Sequence, residues 1–234
     1  MTTARDIAAY LDKRYPQQSA PWDHTDGLLE KDRKVTNVIV ALELRDHDAD
    51  FFILHHPPKF GPDKAITNPF YKDQSWYALH SRLDLSGDIN RKIASTIFHS
   101  FTHEKTLEDG TAIIELTEPE TLSQIIQDIK TKLNSDTVKV IQKKKAVRRI
   151  AIHGGEGFNQ HHVERGVNEG IDLYLAGDMT HHQAESAYFH DVTFIDIDHI
   201  SEQVGMKTLA EELQKTFPDC EFRYVPTGNY WETK

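Results

Sequence analysis

The sequence predicts a mixed fold of the α+β or α/β class, with helices flanking mixed β-sheets. Short apolar runs with strand character alternate with amphipathic helical patterns along almost the whole chain. The 234 residues are enough for one large domain or two small ones with a substantial core. Neither a low-complexity linker nor an internal repeat interrupts this alternation.

The N-terminal half is predicted to contain a capped helix followed by two buried strands. Thr3 begins a capping-box pattern for a helix over residues 3–14. The runs 34–44 and 49–56 are apolar enough to be central strands covered on both faces. The other elements of this half are a loop with turn chemistry at 20–29, a Pro/Gly-rich loop at 57–69, a short element at 73–81 and a helix at 88–101 capped by Asp88.

The second half continues the alternation of strands and helices. Thr117, Thr180 and Ser201 are predicted to cap three helices, and Gly170 is predicted to end a fourth, shorter one. Polar residues at 102–110 mark the best candidate for a boundary between domains. The strands of this half are predicted at 111–119, 137–142, 147–155, 171–178 and 192–199.

Composition narrows the classes of function. The chain carries 27 basic and 37 acidic residues, and this formal net charge of −10 argues against a general nucleic-acid binder. Its one cysteine, Cys220, cannot build a disulfide framework or a cysteine zinc site. No run approaches the roughly 20 apolar residues of a membrane span, and the N-terminus lacks the apolar core of a signal peptide. We therefore expect a cytoplasmic protein without a membrane segment.

Histidine is unusually frequent, with 14 residues that include three adjacent pairs. His55 and His56 follow a four-residue apolar run and have no packing rationale there, which favours a binding role. For the pair His161–His162 an exposed helix face is expected instead of ligation. Isolated histidines such as His153 are interpreted as ordinary hydrogen-bonded side chains.

Consecutive side chains on a regular strand point to opposite faces, so His55 and His56 cannot easily bind one ion from such a strand. Two arrangements remain open. Both imidazoles bind one ion where Pro57 forces the chain out of the strand, or each serves a different ion. The second arrangement favours a two-metal site.

Other candidate ligands also stand just past predicted strands. Asp84 follows one short element, while His199 and Glu202 straddle the junction between the last strand and the last helix. Sites in α/β proteins gather outside strand ends, so these side chains are candidates for one site. Imidazole and carboxylate ligands without a thiolate suit zinc, iron, manganese, cobalt or nickel.

These residues lie in stretches that resemble the motifs of the NIF-three-like family, whose members are called GTP cyclohydrolase 1 type 2 homologs. The likeness extends over roughly residues 20–215, and the most specific motif is the strand end "FILHHPPKFGP". The other stretches are "DGLL" after Trp22-Asp23, "LHSRLDLSGDINRKIA", "RRIAIHGGEG", "DLYLAGDMTHHQAESA" and "IDHISEQVGMKTLAEEL".

The resemblance implies two interleaved lobes with mixed sheets, which assemble into a ring-shaped hexamer. We assign residues 1–103 and 190–234 to the lobe with the metal site, and residues 104–189 to the other lobe. The resemblance also implies two divalent metal ions within each subunit, with His80 lining their site. Carried over residue by residue, the ligands are His55, His56, Asp84, His199 and Glu202.

One spacing departs from the family pattern. The last family motif places a histidine four residues before a glutamate, whereas His199 lies three residues before Glu202. Either Asp198, which stands at the family spacing, is the ligand, or the junction is one residue tighter and His199 still binds. We favour His199, because imidazole is the ligand type of the family.

Three functions follow as hypotheses. The first is a metal-dependent hydrolase, in which hydroxide generated by two ions attacks a phosphoester or the purine ring of a nucleotide. His80, His181 or His182 would transfer protons in this reaction. The second is a regulatory or scaffolding protein whose metals are structural and which acts through protein partners. The third is an α/β domain without metal. Family alone does not choose between them, because a fold does not fix a reaction.

Overall fold

The computed structural model describes residues 1–16, 18–43, 45–57, 59–60, 65–66, 74–135, 137–157 and 160–230. By the proximity of Cα atoms, the chain divides into two compact units. The first unit is Met1–Ser86 with Gly205–Lys234, and the second unit is Gly87–Val204. The boundaries at 103/104 and 189/190 stay a prediction about which parts fold independently.

The elements of the described residues are numbered in chain order. The first eight are α1 (Ala4–Arg14), β1 (Leu29–Glu30), β2 (Asn37–Ala41), β3 (Phe51–Leu54), β4 (Lys59–Phe60), β5 (Ala65–Ile66), β6 (Trp76–Ala78) and α2 (Ser81–Ser86). They are followed by α3 (Asp88–Ile97), β7 (Phe101–Thr106), β8 (Ala112–Thr121), α4 (Leu122–Lys132), β9 (Lys139–Ile141), β10 (Ala146–His153), α5 (Gln160–Glu169), β11 (Leu173–Ala176) and α6 (His181–Phe189). The last are β12 (Thr193–Asp196), a 3-10 helix (His199–Glu202), α7 (Gln203–Thr216) and β13 (Glu221–Val225).

A five-stranded sheet forms the centre of the first unit, in the order β1-β6-β3-β2-β13. Among the described strands of this sheet, β1 runs antiparallel to β6 and the other pairs are parallel. The predicted strands 34–44 and 49–56 are β2 and β3, and both are interior and almost fully buried. Long apolar runs therefore give interior strands here, because both faces of a parallel sheet are covered.

Helix α1 has the capping box that the sequence predicts. The Thr3 hydroxyl accepts from the Asp6 backbone N–H, and the Asp6 carboxylate accepts from the Thr3 N–H. Ile7 and Leu11 on its apolar face are completely buried. Farther along, the predicted loop 57–69 contains the short antiparallel pair β4–β5, and the remainder of the loop after residue 57 lies outside the described residues.

The second unit is built on a six-stranded sheet in the order β7-β8-β10-β11-β12-β9. Strands β10, β11 and β12 are parallel, and the other pairs are antiparallel. Tyr174 and Phe194, on neighbouring strands, pack with Val163 of α5 in a fully buried cluster. The polar stretch 102–110 is largely β7, whose four central residues are exposed at the edge of this sheet.

Two predicted helix caps are wrong because tertiary structure overrides the local signal. Asp88 is the first residue of α3, and the cap is Gly87, whose φ of 72° turns the chain sharply after α2. The predicted helix also ends at Ile97, before residue 101. Thr117 does not open α4, since β8 continues to Thr121 in pairing with β10. Thr121 is the cap, and its hydroxyl accepts from the backbone of the next turn.

The third incorrect cap lies before the last helix. Ser201 is buried within a 3-10 helix of four residues, His199–Glu202, which leads directly into α7. The preceding strand β12 therefore ends at Asp196, earlier than predicted. This tight helical turn brings His199 and Glu202 onto one side of the junction. Across the residues that are described, no helix has the length and apolar composition that crossing a bilayer requires.

Candidate metal-binding site

In the first unit, three histidines meet where two parallel strands end. The backbone N–H groups of His55 and His56 still bond to the neighbouring strand, at 3.2 and 2.8 Å, while the chain bends away from β3. His80 follows β6, the other neighbour of β3. Because parallel strands end at the same edge of a sheet, the three imidazoles come together. One ring nitrogen from each lies within 4.8 Å of the others, and His55 and His80 are buried.

Each of these imidazoles is oriented through Nδ1 by an oxygen that only accepts hydrogen bonds. Leu79 O accepts from His55 at 3.0 Å and Glu43 Oε1 accepts from His56 at 3.2 Å, while Asp23 Oδ2 lies 2.8 Å from His80 Nδ1 as an ion-pair contact. A carbonyl or carboxylate oxygen requires a donor, so Nδ1 carries the proton in each ring. In the neutral imidazole, Nε2 then carries the lone pair, which is the arrangement of metal-binding histidines.

Both carboxylates among these acceptors remain ionised near neutral pH. Burial raises the pKa of Asp23, but the hydrogen bond and charge of His80 outweigh it and hold this pKa well below its usual range. Burial likewise opposes ionisation of Glu43, and hydrogen bonds from His56 and Tyr230 lower its pKa overall. Ionised Asp23 and Glu43 are acceptors only, which supports the assigned tautomers.

Asp84 faces the buried His55 from the first helix turn after His80. The distance from His55 Nε2 to Asp84 Oδ1 is 3.3 Å, and His55 is fully buried. With Nδ1 protonated, a neutral His55 directs its lone pair at a carboxylate oxygen, and two acceptors repel each other. A proton or a metal cation between them removes this repulsion. Burial disfavours the protonated imidazole, so the pair has the chemistry of a cation site.

The second unit contains a pair of the same kind. His199 donates from Nδ1 to Asp178, and its Nε2 lies 3.4 Å from Glu202 Oε2. The hydrogen bond from His199 lowers the pKa of Asp178, and burial opposes this only in part. The Glu202 side chain is 5% exposed. Its carboxylate packs against Gly155, where φ is +62° and a Cβ would collide with it.

The same geometry bears on the choice between Asp198 and His199. Asp198 precedes the 3-10 helix with φ of 68°, and its backbone N–H bonds to Asp196. His199 is the residue whose ring nitrogen faces Glu202, since three residues span one turn of a 3-10 helix. The shorter spacing in the sequence thus coincides with a tighter helical turn. Ligation by His199 stays a prediction that this contact favours.

His181 and His182 occupy the first turn of α6, after the confirmed cap Thr180. Both are exposed, and the His182 side chain is 92% exposed with its nearest carboxylate, that of Glu185, at 3.9 Å. Their role in proton transfer stays a prediction, for which exposure to solvent is compatible but not specific.

A third histidine group in the second unit was not anticipated. His162 is buried, so the expectation of an exposed face is wrong for it and correct only for His161. Ring nitrogens of His162 and His153 lie within 4.8 Å of a carboxylate oxygen of Asp109. However, Asp109 Oδ2 already accepts from Arg165 at 2.5 Å as well as from His162 at 2.9 Å. A guanidinium on this oxygen repels a cation, so we interpret the group as a structural hydrogen-bond network.

Comparison with known proteins places the chain in one family. The family model of Duf34/NIF3 (NGG1p interacting factor 3) matches residues 2–228. A GTP cyclohydrolase 1 type 2 homolog of Staphylococcus aureus (strain Mu50) is 41% identical over 93 residues, 38% of this chain and 25% of that protein. One of the same name from Methanothermobacter thermautotrophicus is 25% identical over 223 residues, 92% of this chain and 89% of that protein. The chain thus aligns with about a quarter of the length of the S. aureus relatives.

Solved structures share the fold at lower sequence identity. The S. aureus hypothetical protein SA1388 superposes with a TM-score of 0.82 at 22% identity, covering 98% of each chain. A Bacillus cereus protein related to NIF3 gives 0.82 at 17% identity, covering 100% of this chain and 99% of that one. The predicted fold class, mixed sheets flanked by helices in a NIF-three-like arrangement, is confirmed.

Proposed function

Since the chain belongs to the Duf34/NIF3 family, we propose that it is a dinuclear metal-binding hydrolase acting on a nucleotide or phosphoester. The name GTP cyclohydrolase 1 type 2 homolog, carried by its relatives, supports a nucleotide substrate. The S. aureus relatives align with 38% of this chain, and the M. thermautotrophicus relative is 25% identical, so the activity is a proposal for this chain.

The observation that carries the proposal is the repeated pairing of a tethered imidazole with a carboxylate. In both His55 and His199, Nδ1 already donates a hydrogen bond. The Nε2 atom of each ring faces a carboxylate oxygen, that of Asp84 at 3.3 Å and that of Glu202 at 3.4 Å. Such pairs are stable when a cation neutralises the facing lone pairs. Two occurrences of this arrangement support two cations.

The residues fit divalent ions in their chemistry. We propose His55, His56, Asp84, His199 and Glu202 as the ligands. This set offers imidazole nitrogens and carboxylate oxygens without a thiolate, which suits zinc, iron, manganese, cobalt or nickel. When bound, the ions would supply Lewis acidity, which lowers the pKa of water and polarises a phosphoryl oxygen.

His80 is the proposed proton carrier. Asp23 holds its Nδ1–H, so Nε2 is the atom that accepts a proton from water and returns it to a leaving group. The exposed indole of Trp22 contacts the His80 ring, with 5.4 Å between centroids, and offers a stacking surface for a planar base. His181 and His182 remain the alternative proton carriers.

Activity assays with paired variants test the proposal. Hydrolysis of GTP and of simple phosphoesters is measured with and without a chelator, in the native protein and in Asp84→Ala. Asp88→Ala is the matched control, because this half-buried aspartate begins α3 and bonds to Arg91. We expect turnover in the native protein and in Asp88→Ala. Chelator and Asp84→Ala should each abolish it. Turnover that resists both treatments would contradict the proposal.

A role through protein partners is the second candidate. Tyr188 and Phe189, at the end of α6, are 60% and 76% exposed, and exposed aromatic pairs are typical of contact surfaces. The same surface could serve the homo-oligomer, a hexamer, that the family resemblance implies. Bound metal without turnover on any substrate would favour this candidate over the hydrolase, while loss of assembly in Tyr188→Ser/Phe189→Ser would assign the aromatic pair to the homo-oligomer.

A further inference from the structure

The C-terminal segment of the first unit, residues 227–230, is fastened to the loop that follows β2. Arg45 donates from Nη2 to the Gly228 carbonyl at 2.6 Å, and its guanidinium lies 4.4 Å from the centre of the Tyr230 ring. The Tyr230 hydroxyl donates to Glu43 Oε2 at 2.5 Å. Three contacts thus join this segment to Glu43 and Arg45, and the Glu43 side chain also bonds to His56.

Glu43 uses its two oxygens for two different partners. Oε2 accepts from Tyr230, while Oε1 accepts from His56 Nδ1 at 3.2 Å. A glutamate whose one carboxylate oxygen is held has fewer side-chain rotamers available. The Tyr230 contact therefore restricts the positions of Oε1, the atom through which Glu43 orients the His56 imidazole. The result is a continuous chain of hydrogen bonds from Tyr230 through Glu43 to His56.

We propose that Tyr230 is a positioning residue that acts through Glu43 to hold His56 in its metal-binding tautomer and orientation. The proposal rests on the ligand role of His56 in the proposed function. The family model matches residues 2–228, so Tyr230 lies just outside the matched region. Outer partners of metal-binding histidines change affinity by about 10–100-fold when removed, which sets the expected scale.

Tyr230→Phe isolates the hydroxyl, because a phenylalanine ring keeps the stacking surface for Arg45. Tyr10→Phe is a matched control within the same unit. Tyr10 donates to Glu212 Oε1 at 2.8 Å, and Arg14 also donates to this oxygen at 3.3 Å. This group has the same three residue types as Tyr230, Glu43 and Arg45, but its described contacts include no histidine. Both substitutions remove one tyrosine–glutamate hydrogen bond, and a general loss of stability would affect them alike.

Two measurements decide the proposal. Competition with a chromophoric chelator gives the affinities for Zn²⁺, and we expect Tyr230→Phe to weaken binding of one ion by about tenfold while Tyr10→Phe leaves both affinities unchanged. Long-range proton–nitrogen NMR of histidine-labelled, metal-free protein reports the tautomers. We expect Tyr230→Phe to increase the Nε2-protonated form of His56 and to leave His80, which Asp23 holds, as in the native protein.

The outcomes separate this proposal from the function on which it rests. If native protein binds no divalent metal, the proposed function fails, and the metal-free spectra still decide whether Tyr230 positions His56. Unchanged His56 signals and unchanged Zn²⁺ affinity in Tyr230→Phe overturn the positioning role. Equal effects of Tyr10→Phe and Tyr230→Phe on either readout also overturn it, since they would reflect a general change in the fold. Glu43→Gln is a second variant, expected to perturb His56 more strongly than Tyr230→Phe.

Discussion

Replacing Asp84 by asparagine separates the two explanations of its contact with His55, because the variant keeps the shape and removes the charge. In metal-free protein, a neutral His55 directs its Nε2 lone pair at the carboxylate across 3.3 Å. An asparagine amide can donate to that nitrogen and turn a repulsion into a hydrogen bond, a gain of about 1 kcal/mol. For a chain of this length, 1 kcal/mol raises the melting temperature by about 2–4 °C.

The sign reverses when metal is present. A free ion concentration of 100 Kd stabilises a folded protein by about 2.7 kcal/mol. If the loss of the carboxylate ligand weakens binding about 100-fold, the same ion concentration stabilises Asp84→Asn by only about 0.4 kcal/mol. The variant should therefore melt higher than native protein with chelator and lower with added metal. A crossing of this kind requires that Asp84 faces a lone pair and binds a cation.

The assay is thermal unfolding of both proteins, by calorimetry at neutral pH, with chelator and with a saturating divalent ion. Asp88→Asn again serves as control: it weakens the contact with Arg91 at the start of α3, and its shift in melting temperature should be the same with chelator and with metal. If Asp84→Asn melts lower than native protein in both conditions, His55 is a protonated imidazole paired with Asp84. Our account of the site as a cation site would then be refuted at this pair.

Three further outcomes are expected. Gly155→Ala should destabilise the protein and weaken metal binding, because φ is +62° and the new Cβ meets Glu202. Gly228→Ala should do neither, because its Cβ meets no atom of the described residues within 4 Å. Burial raises the pKa of Asp172, but hydrogen bonds from backbone N–H groups and from a lysine lower this pKa overall. The contribution of Asp172 to stability is therefore present above the unfolded pKa and is lost as pH falls through the folded pKa. The free energy of unfolding of Asp172→Asn, measured with denaturant, should accordingly be lower than that of native protein at pH 7, and the two values should converge in acid. Chelator should lower the melting temperature of native protein reversibly, and restored ions should return it.

Local signals in the sequence were sufficient for elements whose determinants are close together along the chain. The caps at Thr3 and Thr180 depend on residues three apart, and the sequence predicts both caps. Thr117 failed because pairing with β10 extends β8 to Thr121, and no local rule contains that partner strand. Ser201 failed because the chain uses a 3-10 turn where an α-helical cap was expected.

The candidate site shows the same division. His55 and His56 are visible in the sequence because an adjacent pair of imidazoles after an apolar run has no packing role. The residues that orient the imidazoles are not visible, since Asp23 and Glu43 are ordinary acidic residues until the fold brings them to His80 and His56. Tertiary contacts of this kind decide tautomers, and tautomers decide which nitrogen can bind a metal.

The most direct test of the central claim is anomalous diffraction from crystals of protein purified without nickel resin, with data on both sides of the absorption edge of the metal found by elemental analysis. We expect two peaks per chain, bonded through Nε2 to His55, His56 and His199 and through carboxylate oxygens to Asp84 and Glu202. Absence of anomalous density at these residues in metal-saturated crystals, or coordination through Nδ1, would contradict that claim.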